Sequence, residues 1–184
     1  MDVNGLNRPF IVVGENVHCT RVLLRKGQRI GDGPDGAESV LWTHTDGSPR
    51  FLRIPGDVKK SNDFQEGRVK HVQIAVKAAM QGGGDAQDGL DYIRHVVDRQ
   101  VEAGVDFLDV NTDEISYRHE EQQAAMAWLV RTVQSMTDTP LSVDSSLMET
   151  IAAGMNAYDA TVGRPLLNSA SLERAEALDL AVDH

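Results

Sequence analysis

One cysteine, Cys19, stands among 184 residues, so no disulfide can close within the chain. That scarcity fits a reducing compartment, and a cytoplasmic protein is expected. Basic side chains are also few: 18 Lys and Arg against 28 Asp and Glu leave a net charge of −10. This balance argues against nucleic acid and anionic membrane as partners, because both are gripped through a basic surface. It leaves room for a small anionic ligand in a local pocket. Long apolar runs are missing too. None approaches the roughly 18 residues that a membrane span needs, and the opening MDVNGLNRPFIVV has no charged stretch leading into an apolar one. His18, His71, His95 and His119 fall at no metal-ligand spacing, so no metal is expected. GDGPDG at 31–36 lacks the closing acid of a calcium loop, and Gly82 to Gly84 lead into no phosphate-binding G-K-S/T.

What is present reads as strands alternating with helices. FIVVGENV at 10–17 has the look of a buried strand. After it comes a stretch rich in Gly, Asp and Arg, read as an insertion over 22–62. Within that insertion, the arms of SVLWTHTDGSPRFLRI flank Asp46-Gly47, a strong hairpin signal. Val69, Val72, Val76 and Ala79 then recur at helical spacing, and MQGGGDAQD breaks that helix. Leu90, Ile93, Val97 and Val101 mark a second helix over about 88–103, with Gly104 as its stop. VDFLDVN at 105–111 is a strand, and residues 117–137 are a helix with Ala125, Leu129, Val133 and Met136 on one face. Pro140 opens the strand LSV. Ser146 and Glu149 have the spacing of a capping box for a helix over 147–157. PLLN is a fourth strand, and Ser171 stands where it would cap a last helix bearing Ala175, Leu178 and Val182.

Apolar strands alternating with amphipathic helices imply parallel βα units. Each strand closes on a polar residue: Asn16, Asn111, Asp144 and Asn168. In barrels and doubly wound sheets alike, that end of the strands is where ligands bind. Strand parity puts Asp109 on the face of Asn111, and Ser142 on the face of Asp144. Cys19 follows the first strand but has no identifiable partner base. Trp42 and Trp128 read as packing residues, and His18 lies near the expected mouth.

The stretches VGENVHCTR (13–21), DFLDVNTDE (106–114), LSVDSSLMETIAAGM (141–155) and GRPLLNSAS (163–171), in that order, carry a resemblance. They resemble the pterin-binding family, which includes methyltetrahydrofolate–corrinoid methyltransferases, the folate domain of cobalamin-dependent methionine synthase, and dihydropteroate synthase. The resemblance covers roughly 10–21 and 85–178 and says nothing of the insertion. It implies a TIM (βα)8 barrel, of which residues 1–184 would supply about the first half, some four βα units, as one incomplete pterin-binding domain. It implies pterin contacts at Asp144 and Asn168, with Asp109, Asn111 and Asn16 near the ring or bracing it; no catalytic residue is singled out.

The activity so implied is methyl transfer between N5 of methyltetrahydrofolate and a corrinoid (cobalamin) carried by a partner protein. Tetrahydrofolate would be substrate, within one-carbon metabolism. A chain of this length is expected to work as a homo-oligomer or with the missing half of the barrel, and to be inactive alone. Two alternatives stand beside this: condensation of the dihydropteroate synthase type, and a non-catalytic folate-binding or assembly module. The DVNTDE run departs from the D-x-G-G-like run of the synthases. The insertion, an extension of the first strand's loop, is expected at the binding face as a lid or partner-docking element.

Overall fold

The computed structural model describes residues 10–168 and 175–183. After β1 (Val13–His18), the chain makes an excursion through β2 (Leu23–Leu24), β3 (Ile30–Asp32), β4 (Glu38–Thr43), β5 (Pro49–Arg53), α1 (Asn62–Gln65) and β6 (Arg68–Val69). Helices α2 (His71–Gln81) and α3 (Ala86–Glu102) follow. From there strands and helices alternate: β7 (Phe107–Asn111), α4 (His119–Gln134), β8 (Leu141–Val143), α5 (Met148–Ala157), β9 (Leu166–Leu167) and α6 (Glu176–Asp183). Among the described residues no helix is long and apolar enough to cross a membrane.

β1, β7, β8 and β9 form one sheet in that order, all parallel. A parallel neighbour needs a crossover, and the helices between successive strands supply it. Side-chain alternation then sorts the sheet into two chemistries. Leu108, Val110, Leu141 and Val143 are fully buried in the apolar core shared with the helices. Asp109 and Ser142, register partners across β7 and β8, occupy the opposite face. The fold class is therefore α/β, as expected.

Two helix approaches depend on glycine. A Cβ on Gly154 of α5 would lie 2.7 Å from Val143 Cγ1 and 2.8 Å from Met126 Cγ, so α5 sits tightly on β8 and α4. Gly89 of α3 is more demanding, because a Cβ there would lie 2.5 Å from the Ala75 carbonyl oxygen and 2.9 Å from Ala79 N, both backbone of α2. Backbone cannot swing aside as a flexible side chain can. Gly89→Ala, which ought to favour an isolated helix, is expected here to destabilise the fold by about 2–3 kcal/mol. A urea unfolding midpoint that stayed level or rose would show that α2 and α3 part at no cost.

The expected hairpin forms: β4 and β5 pair antiparallel, and the Gly47 amide donates to the His44 carbonyl at the turn. β3 adds a third strand that was not expected, since IGD is too short and too glycine-rich to carry an alternating pattern. The hairpin of the insertion seats on α3, while Asp57, Val58 and Ser61 at the insertion's end line a cleft with the loop after β7. Trp42 of β4 packs edge-on to Tyr92 of α3 at 5.8 Å and stacks at a tilt on His95 at 4.8 Å. Val40, Leu52 and Ile54 join the same core as Val17 and Leu108. The burial of these apolar arms fixes the hairpin to the helical layer.

Three further expectations need correction. Val69 is not helical: it pairs with Leu23 in a two-stranded ribbon, and α2 starts only after Lys70. The capping box is not made, since the α5 N-terminus at Leu147 has no side-chain capping bond; Ser145 Oγ and the Asp113 carboxylate hold the turn instead. In α6 the buried position is Ala177, while Leu178 and Val182 are exposed. The closest approach goes to the small side chain, with Leu180 beside it on the same stripe. Ser171 lies outside the described residues.

Candidate active site at the strand ends

Asp109 is the hub of the polar face. Its side chain has no exposure to solvent, a placement that a carboxylate tolerates only when donors converge on it. They come from three neighbouring strands. Ser142 Oγ, from β8, donates to Oδ1, as does Asn168 Nδ2 just past β9, at 3.0 Å. His18, the last residue of β1, brings its Nε2 to Oδ2. Each donor belongs to a different parallel strand, so the sheet register itself assembles the cluster. A carboxylate only accepts, so the bond fixes the His18 tautomer with its proton on Nε2.

A second group stands beside it. Asn111 is nearly buried; its Nδ2 donates to Asp144 Oδ2 at 2.9 Å and its Oδ1 accepts from Asp113 N at 2.9 Å. Both ends of that amide are thus engaged. Asp144 is half-buried, with its backbone amide bonded to Val110 O at 3.1 Å. Asp113 turns away from the sheet and ties two loops together, accepting from Ser145 Oγ and from Ser146 N at 2.8 Å. Gln122, on α4, donates to the carbonyls of Asp113 and Ser116 at 2.7 and 2.8 Å. The rim after β7 is therefore held in place before any ligand arrives.

Of the residues expected at the site, the structure brings together Asp109, Asn111, Asp144 and Asn168. Asn16 stands apart. A bulge between Gly14 and Val17 removes it from the register, and its backbone amide donates to Gln100 Oε1 of α3 at 3.0 Å. It lines a cleft on the α3 side of β1. His18 takes the place in the cluster that the sequence suggested for Asn16. The strand runs farther than its apolar part, and a bulge leaves no mark in an apolar/polar pattern. Ser142 was legible as a face-mate of Asp144 by parity; the loop ties of Asp113 and Ser145 were not.

Cys19 is wholly buried, and burial pushes its thiol well above the ordinary thiol range. A thiol so placed stays protonated and is no nucleophile. His18, Asp109 and Asp144 offer ligand atoms within 4.8 Å of one another, the one such group among the described residues. Asp109, however, already has both oxygens engaged by His18, Ser142 and Asn168, which suits a hydrogen-bonded hub better than an ion ligand.

Compared with known protein families, residues 61–184 match the one described as pterin binding enzyme. The matched span contains Asp109, Asn111, Asp144 and Asn168, and leaves β1 with His18 outside it. No curated protein matches the chain.

Proposed function

The chain belongs to the pterin-binding enzymes, and on that premise we propose that it transfers a methyl group between N5 of methyltetrahydrofolate and a corrinoid held by a partner protein. One observation carries this reading: a histidine, two aspartates and two asparagines converge at the C-terminal ends of adjacent parallel strands. A reduced pterin presents a rigid edge of ring and amino N–H donors beside a carbonyl acceptor. Carboxylates take the donors, and asparagine can serve either partner. In this reading Asp144 and Asn168 contact the pterin. Asp109 and Asn111, buried and with their polar atoms engaged, are positioning residues.

N5 leaves poorly as an amine anion, so the methyl group departs more readily when a proton is held at N5. We assign that task to His18 through Nδ1, its ring orientation set by Asp109. The corrinoid supplies a cobalt nucleophile when bound; the chain's own part is to hold, orient and protonate. No covalent protein nucleophile is required, which agrees with the inert Cys19.

The same reading makes the four-stranded sheet half of a (βα)8 barrel. Its support is the sidedness of the sheet: apolar side chains meet the helices, and the ligand groups share the other face. The test is an assay of methyltetrahydrofolate with free cob(I)alamin, run on each species that a sizing column resolves. The expected result is conversion of the cob(I)alamin spectrum to that of the methylated form. Product from pterin pyrophosphate and aminobenzoate instead would replace methyl transfer by condensation.

A further inference from the structure

On the other side of β1 from the cluster lies a cleft of about 430 Å³, bounded by β1, the 21–23 turn and α3. Its lining includes Arg21, Arg29, Arg99, His71 and His95, and no Asp or Glu. In a chain of net charge −10 such a lining is unusual. Like charges gathered without acids repel one another, unless something anionic sits among them. Arg21 is already held by Glu15, at 2.6 Å. Arg29 and Arg99 enter no ion pair among the described residues.

The wall is also organised. Arg29 Nη2 donates to Tyr92 Oη at 2.7 Å, and Tyr92 Oη lies 2.9 Å from His71 Nδ1. Tyr92 is fully buried, so its own proton needs an acceptor, and His71 Nδ1 is the one within reach. That bond places the His71 proton on Nε2. His71 is only 7% exposed, and its Nε2 has no partner among the described residues. Burial, with Arg29 beside it, holds the imidazole down to about 4, so at neutral pH this is a neutral N–H donor of fixed tautomer. A relay thus presents an oriented imidazole donor beside two guanidinium groups.

We propose that this cleft is a binding site for a small phosphorylated metabolite, its phosphate held by Arg29, Arg99 and His71 Nε2–H. A tetrahedral dianion suits this donor set, because guanidinium groups bind phosphate oxygens in pairs and the lining supplies no competing carboxylate. The cleft has room for a phosphate with an organic substituent, and Val96 and Val105 offer that substituent an apolar surface. The site lies apart from the polar cluster and does not rest on the methyl-transfer reading.

Isothermal titration of the whole chain tests it, with pyrophosphate as the probe and succinate as the dicarboxylate comparison. Saturable one-site binding of pyrophosphate is expected, with succinate weaker. Arg29→Gln and Arg99→Gln should each weaken pyrophosphate by about tenfold or more, the loss of a charge-assisted hydrogen bond. Arg99→Gln removes no described hydrogen bond, so it reports on the site even if Arg29→Gln loosens the Tyr92 relay. Arg94→Gln, outside the lining, should leave binding unchanged. Absence of pyrophosphate binding, tighter binding of succinate, or equal binding by both Arg29 and Arg99 variants would overturn the proposal.

Discussion

Asp144→Asn is expected to weaken methyltetrahydrofolate binding about a hundredfold while leaving the unfolding midpoint nearly unchanged. The argument starts at Asn111. Its Oδ1 accepts from Asp113 N and its Nδ2 donates to Asp144 Oδ2, each at 2.9 Å, so the amide cannot flip without losing both bonds. An asparagine at 144 must therefore turn its oxygen toward Asn111. Its amino group then points where the pterin's N–H donors arrive, and donor meets donor. The variant loses a charge-assisted bond and leaves a buried donor unpaired, roughly 3 kcal/mol together. The fold is spared because Asp144 is half-buried and its backbone bond to Val110 remains. Ligand fluorescence with wild type and variant gives the ratio. Equal affinities would mean that Asp144 makes no pterin contact, and the strand-end site would have to be redrawn.

Asp144, Asn111 and Asn168 were legible in the sequence because each is the first polar residue after a short apolar run, and strand ends are where that contrast is sharpest. Asp109 needed one more step, the alternation that sets it opposite Leu108 and Val110. Asn16 failed on the same logic. Counting from the apolar run ended β1 too soon, and the bulge after Gly14 shifts which residue reaches the polar face, so His18 arrives there. A bulge is decided by pairing with β7 and by Gln100 receiving the Asn16 amide, both of them contacts between residues remote in sequence. The helix after β8 shows a similar limit. S-x-x-E has the spacing of a local cap, yet a long-range partner, Asp113, takes the turn. The hairpin, by contrast, was read correctly because Asp46-Gly47 is a local determinant. Its seat on α3 was not, since nothing in the insertion itself says that Trp42 will meet Tyr92 and His95.

Asp109→Asn should separate catalysis from binding. The substitution keeps shape and removes one acceptor from a buried group that serves three donors. The amide oxygen must remain with Ser142 and Asn168, so the amide nitrogen faces His18. His18 Nε2 then has to accept instead of donate, and the ring proton moves to Nδ1. In the proposed wild-type mechanism the proton passes to N5 from Nδ1 while Nε2–H stays on Asp109. In the variant Nδ1 is already protonated, and releasing that proton would leave an imidazolate against an N–H donor. The path for a proton to N5 is closed. Methyl-transfer kcat should fall about a thousandfold, within the range for loss of a general acid or of its correct tautomer. Methyltetrahydrofolate affinity should move only a fewfold, because the direct contacts remain. Nitrogen NMR of the His18 ring reads the exchange of tautomers directly, an effect that mere loosening of the fold would not produce. Asp109→Leu is the structural counterpart: it strands the donors of His18, Ser142 and Asn168, and should destabilise the fold by about 3–5 kcal/mol. If Asp109→Asn keeps full kcat with the tautomer reversed, His18 is not the proton donor and its ring only fills the mouth of β1. If kcat and affinity fall together with the tautomer unchanged, Asp109 acts by shaping the pocket, and the proton must reach N5 from elsewhere.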